Sequence, residues 1–258
     1  MGSMKVIYGP VASWRLGRSL GIDLICSPKK ICSFDCIYCQ LQHTARITAQ
    51  RQAFVDSTEV KTQLQQALSK TTPDVITLSG MGEPTLATTL DETIKTIREM
   101  TAIPIAILTN SSFMDKKEVR DALRQIDIIV AKLDAPNEEV FNTINRPAPE
   151  ISFDQVVRGI KTMNHEFKGK FALQMMFMPE NKACASQMAT LAREIKPDEV
   201  QINTPLRPCN VSPLPEKEVD AIEQEFSGLQ TISVYHSPKP KTDPLDKVEL
   251  LKRRRLEL

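Results

Sequence analysis

The strongest constraint in this sequence is a rhythm in which short β-rich apolar runs alternate with stretches whose apolar residues recur at the helical period. Leu20 to Ile25, Asp74 to Ser79, Ile105 to Asn110, Ile128 to Leu133, Phe171 to Met178 and Val200 to Thr204 are predicted strands. Ser57 to Lys70, Thr88 to Met100, Asp115 to Ile126, Phe153 to Phe167 and Ala183 to Ile195 are predicted helices. The first of these carries Val60, Leu64, Ala67 and Leu68 on one face, and the second Leu90, Ile94, Ile97 and Met100. Six strands with helices between them give a parallel sheet covered by helices, either an open doubly wound sheet or a closed or partial barrel. In each case ligands gather at the carboxyl ends of the strands, where the strand-to-helix loops converge.

After Pro205 the rhythm stops. Pro205, Pro208, Pro213 and Pro215 interrupt regular structure, a helix near Glu216 to Phe226 and a strand near Ile232 to Tyr235 follow, and Ser237 to Pro244 reads as a linker. Residues 4–208 are therefore expected to form the repeating unit, and residues 209–258 a cap and basic tail on the same domain. Lys252-Arg253-Arg254-Arg255 reads as a solvated run. Met1-Gly2-Ser3 reads as an added leader before a native Met4, with no signal-peptide order after it. The longest uncharged apolar run, Ala102 to Leu108, is too short to span a bilayer, so a cytoplasmic protein without a membrane partner is expected. The 33 basic and 32 acidic residues leave a net charge of +1, which excludes a global field steering the chain to a polyanion.

Cys32, Cys36 and Cys39 stand at spacings of three and two residues just after the first predicted strand, so one short loop can curl three thiols toward a common point. A 4Fe-4S cubane held by three thiolates keeps one iron open for a substrate or cofactor. A zinc site of three cysteines with His43 is the alternative, and a disulfide framework leaves one thiol over. Gly80-Met81-Gly82-Glu83-Pro84 follows the second strand on the same rim, where its glycines permit close backbone approach and Glu83 supplies a carboxylate. Arg146 and Arg207 are candidate substrate forks on rim loops. Cys26, Cys184 and Cys209 also follow strands and could hold an auxiliary cluster, although ordinary packing is the simpler reading. Met163, Met175, Met176 and Met178 read as core, and His165 and His236 as solvent-facing or capping residues without an identified partner.

The cysteine spacing, with Tyr38 before the third thiol, and the Gly-x-Gly-Glu-Pro segment resemble the radical S-adenosylmethionine (SAM) superfamily. The run from Tyr8 to Asp23, together with Phe34 to Gln40, Lys132 to Ala135, Ile144 to Pro147 and Asn203 to Pro208, is similar to a subgroup of uncharacterised iron-sulfur oxidoreductases related to the tRNA wyosine-base synthase. A second tight cysteine motif and a flavodoxin-like segment are not found, and Met81 stands where many members have glycine. The resemblance implies a partial (β/α)6 barrel and reductive cleavage of SAM at a 4Fe-4S cluster, giving a 5'-deoxyadenosyl radical that abstracts hydrogen from substrate. It implies that Cys32, Cys36 and Cys39 hold three irons, and that Gly80, Gly82 and Glu83 meet the methionine amino group. It further implies that Tyr38 lies near adenine, and that Asn110, Ser111, Lys132 and Asp134 are candidates for ribose or carboxylate contacts. The expected substrate is an RNA base or small metabolite, with activation of a partner protein as the alternative and a non-enzymatic zinc module as a third reading. An electron donor such as flavodoxin or ferredoxin is also expected.

Overall fold

The computed structural model describes residues 4–254. In chain order the elements are β1 (Ile7–Ser13), β2 (Gly17–Ile22), β3 (Ile31–Cys32), β4 (Arg46–Ile47), α1 (Ser57–Leu68), β5 (Val75–Leu78), α2 (Leu90–Met100), β6 (Ile105–Thr109), α3 (Lys117–Leu123), β7 (Ile128–Lys132), α4 (Glu138–Ile144), α5 (Phe153–Glu166), β8 (Lys170–Met176), α6 (Ala185–Ile195), β9 (Glu199–Asn203), α7 (Glu216–Glu225), β10 (Thr231–Ser233) and α8 (Lys247–Arg254). The six predicted strands are β2 and β5 to β9. They are short and apolar because both faces are covered; all four residues of β5, for example, are buried. The covering helices turn one stripe inward, Val60, Leu64 and Ala67 from α1 and Leu90, Ile94 and Ile97 from α2. Side chains close several helix starts, with Asp56 accepting from Thr58 N and Asn137 from Val140 N.

The strand order is β1-β2-β5-β6-β7-β8-β9-β10. From β2 to β10 each pairing is parallel, and the order never reverses. A doubly wound sheet needs a reversal, so this winding belongs to the barrel type. The sheet curls without closing, with β1 and β10 at its edges, and forms a half-barrel of α/β type. β1, absent from the sequence reading, pairs antiparallel with β2, and a register shift between Tyr8 and Val11 at Gly9-Pro10 breaks the alternation that reveals a strand.

The basic end corrects one expectation. Arg253 is 5% exposed and lies inside α8, which packs on the β1-β2 edge. Its guanidinium pairs with Asp23 and donates to Lys5 O and, at 3.0 Å, to Glu249, while stacking 4.5 Å from the Tyr8 ring centre. A charge taken out of water needs such partners, and those at Asp23 and Tyr8 lie far away in sequence. Arg255 lies outside the described residues. His236 also acquires partners, Asp220 at 2.8 Å and Glu216 at 3.7 Å. Among the described residues no helix is long and apolar enough to cross a membrane.

Candidate active site

A cavity of about 620 Å³ opens at the carboxyl rim of the half-barrel, and Cys32, Cys36, Cys39, Gly80, Gly82 and Glu83 all line it. The motif residues come together because they follow adjacent strands, β2 and β5. Backbone bonds fix the cysteine loop against two neighbours. Ile31 N donates to Met81 O at 3.1 Å, while Asp35 N and Ile37 N donate to the carbonyls of Asn145 and Ile144 at 3.0 Å, and Ala148 N donates to Ser33 O at 2.8 Å. Phe34 packs edge-on against Phe141 of α4, with ring centres 5.3 Å apart.

Two side-chain amides point at sulfur: Asn110 Nδ2 lies 3.6 Å from Cys32 Sγ, and Asn145 Nδ2 lies 3.5 Å from Cys36 Sγ. Burial pushes the Cys32 thiol up to about 12 and the Cys36 thiol above its ordinary value, despite the lowering pull of nearby lysines. Burial pulls Lys30 down, but the sulfurs of Cys39, Cys32 and Cys36 outweigh it and the net shift is upward. One buried and two half-buried thiols, two N–H donors and one buried ammonium suit an anionic iron-sulfur cluster, whose irons replace the thiol protons.

Among the described residues no three His, Cys, Asp or Glu side chains converge to hold a single metal ion. A cubane differs in its demand, since each thiolate binds a different iron. His43 does not complete a zinc set with the cysteines: its side chain is 79% exposed, and Nδ1 lies 2.7 Å from Asp35 Oδ2.

Glu83 is 2% exposed. Its Oε1 accepts from Thr85 N at 3.0 Å, Thr85 Oγ1 at 2.5 Å and Thr109 Oγ1 at 2.6 Å, whereas Oε2 accepts only from Asn110 N at 2.7 Å. Burial raises its pKa against the lowering effect of these donors. The flanking glycines are required by the protein itself. A Cβ at Gly82 would lie 1.5 Å from Ile31 O, and one at Gly80 would lie 2.1 Å from Asp23 Cγ. Asp23 in turn accepts from Met81 N at 3.1 Å, which gives the residue between the glycines a structural role.

Tyr38, Asn110 and Lys132 line the cavity, whereas Ser111 and Asp134 do not. Ser111, at φ +70°, turns its hydroxyl to Lys132 O at 3.2 Å. Asp134 lies beneath, accepting from the Tyr38 hydroxyl, from Asn145 Nδ2 at 3.1 Å and from Met176 N at 2.9 Å. Lys132 Nζ donates to the Tyr38 hydroxyl at 2.8 Å and lies 4.3 Å from the ring centre. Burial, and then the Asp134 charge, raise the Tyr38 pKa well above its ordinary value, so the phenol stays protonated. Asn145, joining Cys36 to this network, was missed as a site residue although the Ile144 to Pro147 segment stood out in sequence.

The two candidate arginines are separated. Arg207 lines the cavity, with Nη1 2.5 Å from Gln40 Oε1. Arg146, at φ +45°, is exposed and borders a small recess on the Asp35 and His43 side of the cysteine loop. Cys26, Cys184 and Cys209 do not line the cavity; Cys26 Sγ donates to Met4 O and Cys209 Sγ to Val211 O. Arg15, unremarked in sequence, does line it, at the turn of the β1-β2 hairpin.

The family model described as "Radical SAM superfamily" matches residues 27–192. The chain belongs to the radical SAM superfamily. It is an enzyme of that superfamily, whose members use SAM and an iron-sulfur cluster. A UPF0026 protein of Synechocystis is 40% identical over 207 residues, 80% of this chain and 77% of that protein. A Brachyspira hyodysenteriae protein called GTPase Obg is 35% identical over 237 residues, which is 89% of this chain but 35% of that protein. The solved structure titled native anSMEcpe with bound AdoMet aligns with a TM-score of 0.63 at 16% identity, over 84% of this chain and 64% of that one. At that identity the likeness shows the shared fold, the half-barrel expected from the sequence.

Proposed function

We propose that this radical SAM enzyme binds a 4Fe-4S cluster through Cys32, Cys36 and Cys39 and acts on a small metabolite. The observation that carries the reading is that the three thiols and the Gly80-to-Glu83 loop border one cavity on adjacent strands. When bound, the cluster and SAM supply a 5'-deoxyadenosyl radical that removes hydrogen from substrate.

The chain's own residues hold the reactants and shield them. Glu83 Oε2, with one donor already in place, keeps accepting capacity for the methionine ammonium, beside the backbone of Gly80 and Gly82. Tyr38, fixed by Lys132 and Asp134, forms a firm floor near the adenine position, and Asn110 and Lys132 offer polar contacts to ribose or carboxylate. Asp134 and Ser111 position these groups from below. Val11, Trp14, Leu206 and Val234 supply apolar wall that limits water near a reactive species. The electron comes from an external donor of the flavodoxin or ferredoxin type.

Anaerobic reconstitution tests this. The brown protein is expected to carry about four iron and four sulfide per chain and, once reduced, to convert SAM to 5'-deoxyadenosine. A colourless protein with stoichiometric zinc and no such conversion would overturn the reading. An altered set of modified nucleosides in a deletion strain would replace the small metabolite with an RNA base.

A further inference from the structure

Around the three sulfurs the fold assembles two amides and one ammonium from outside the cysteine motif. The amides come from different elements, Asn110 just after β6 and Asn145 at the end of α4, and each is held so that one N–H is left for sulfur. Asn110 Oδ1 accepts from Ser112 N at 3.1 Å, which fixes the other end of the amide as nitrogen. Its Nδ2 divides two hydrogens between Ser33 Oγ at 2.8 Å and Cys32 Sγ at 3.6 Å. Asn145 Nδ2 spends one hydrogen on Asp134 Oδ2 at 3.1 Å, a carboxylate that only accepts. The Tyr38 hydroxyl, 3.4 Å from the same nitrogen, already accepts from Lys132 and donates to Asp134. The second Asn145 hydrogen therefore belongs to Cys36 Sγ at 3.5 Å.

Lys30 adds a full charge. Its side chain is 3% exposed, and it lines the same cavity as the three cysteines. Its ammonium lies 3.4 Å from Gln42 O and 3.9 Å from Asp35 Oδ1. The Asp35 carboxylate keeps its closer contacts for Thr44 N at 2.6 Å and His43 Nδ1 at 2.7 Å. The Lys30 charge bears on all three sulfurs, on Cys39 most and then on Cys32 and Cys36. Out of water, a cation stabilises negative charge on such neighbours far more than it would at the surface.

We infer that Lys30, Asn110 and Asn145 are positioning residues for the electron-transfer step, and that together they raise the reduction potential of the cluster held by Cys32, Cys36 and Cys39. One electron from the external donor adds one negative charge to the cluster. N–H groups aimed at its thiolates, and a buried ammonium beside them, favour that added charge over the oxidised state. Lys30, with a whole charge, is expected to contribute most. This deepens the proposed function and rests on its cluster.

The test is a redox titration of the reconstituted protein, followed through the electron paramagnetic resonance signal of the reduced cluster. Lys30→Met is expected to lower the reduction equilibrium constant about 10-fold, a fall of about 59 mV in the one-electron midpoint. Lys30→Arg keeps the charge and should stay close to wild type. Asn145→Leu should shift the midpoint in the same direction by less, and because it stands on another element it reads the claim should Lys30→Met lose its cluster. Midpoints unchanged or raised in the loaded variants, or a fall in Lys30→Arg as large as that in Lys30→Met, would overturn the inference. So would loss of the cluster from all three variants, which would assign these residues to holding it. Wild-type protein without iron and sulfide overturns the proposed function instead, and is read by metal and sulfide analysis before the titration.

Discussion

The two ends of the cavity are finished to different degrees. At the cofactor end the buried charges are answered by the protein: Glu83 takes four donors, Asp23 takes three backbone N–H groups and Arg253, and Asp134 accepts from Tyr38, Asn145 and Met176, while the neutral Asn145 Oδ1 is buried without a hydrogen-bond partner. At the hairpin end Arg15 keeps a sealed N–H with no acceptor. A complete network holds a fixed geometry whatever is bound, as chemistry on a common cofactor requires.

The largest expected effect comes from breaking the finished end at Asp23. Asp23→Ala removes one of the two carboxylates that pair with Arg253, which is 5% exposed, and frees the N–H groups of Ile25, Cys26 and Met81. Loss of about 3–5 kcal/mol is expected in denaturant unfolding. A double-mutant cycle with Arg253→Ala is expected to show strong coupling, and simple additivity would mean that α8 does not brace the cofactor loop.

A smaller loss should follow Glu83→Gln. The amide can keep the three donors at one oxygen, but it presents an N–H group to the Asn110 N–H, which costs about 1–3 kcal/mol. SAM affinity is expected to fall as well, since the acceptor facing the cavity is lost. Unchanged SAM binding by equilibrium dialysis would separate this carboxylate from the cofactor.

The smallest effect lies outside the cavity, at His236, which follows β10 at the far edge of the sheet. The hydrogen bond to Asp220, then that charge with Glu216 and Glu223, raises its pKa above the ordinary 6.5. The charged form favours the fold, so its contribution is complete below pH 6.5 and disappears as pH rises through the folded value. His236→Gln should therefore be slightly less stable than wild type in acid and equal to it in alkali, by thermal melts. A constant difference across pH would assign the residue to packing instead.

What could be read in the sequence was local. The six apolar runs, the helices between them and the two glycine- and cysteine-bearing loops each carry their signal within a few residues, and β-to-α alternation places them on one rim. The open and barrel alternatives were separated by strand order, which is a property of pairings rather than of any segment. Arg253 looked like solvated tail because its decisive partner, Asp23, lies 230 residues away. The His236 pairing depends on α7 folding back beside β10, and Asn145 had no role within the Ile144 to Pro147 segment until α4 placed its amide beside Cys36. Arg15 stood within the Tyr8 to Asp23 run but was given no role there, because its place at the cavity follows from the β1-β2 pairing.

The most direct test of the central claim is substitution at Cys36. In Cys36→Ala, reconstituted and reduced beside wild type, iron and sulfide should fall below the wild-type content and 5'-deoxyadenosine should not form. A variant that retains full iron and cleaves SAM at the wild-type rate would contradict the account.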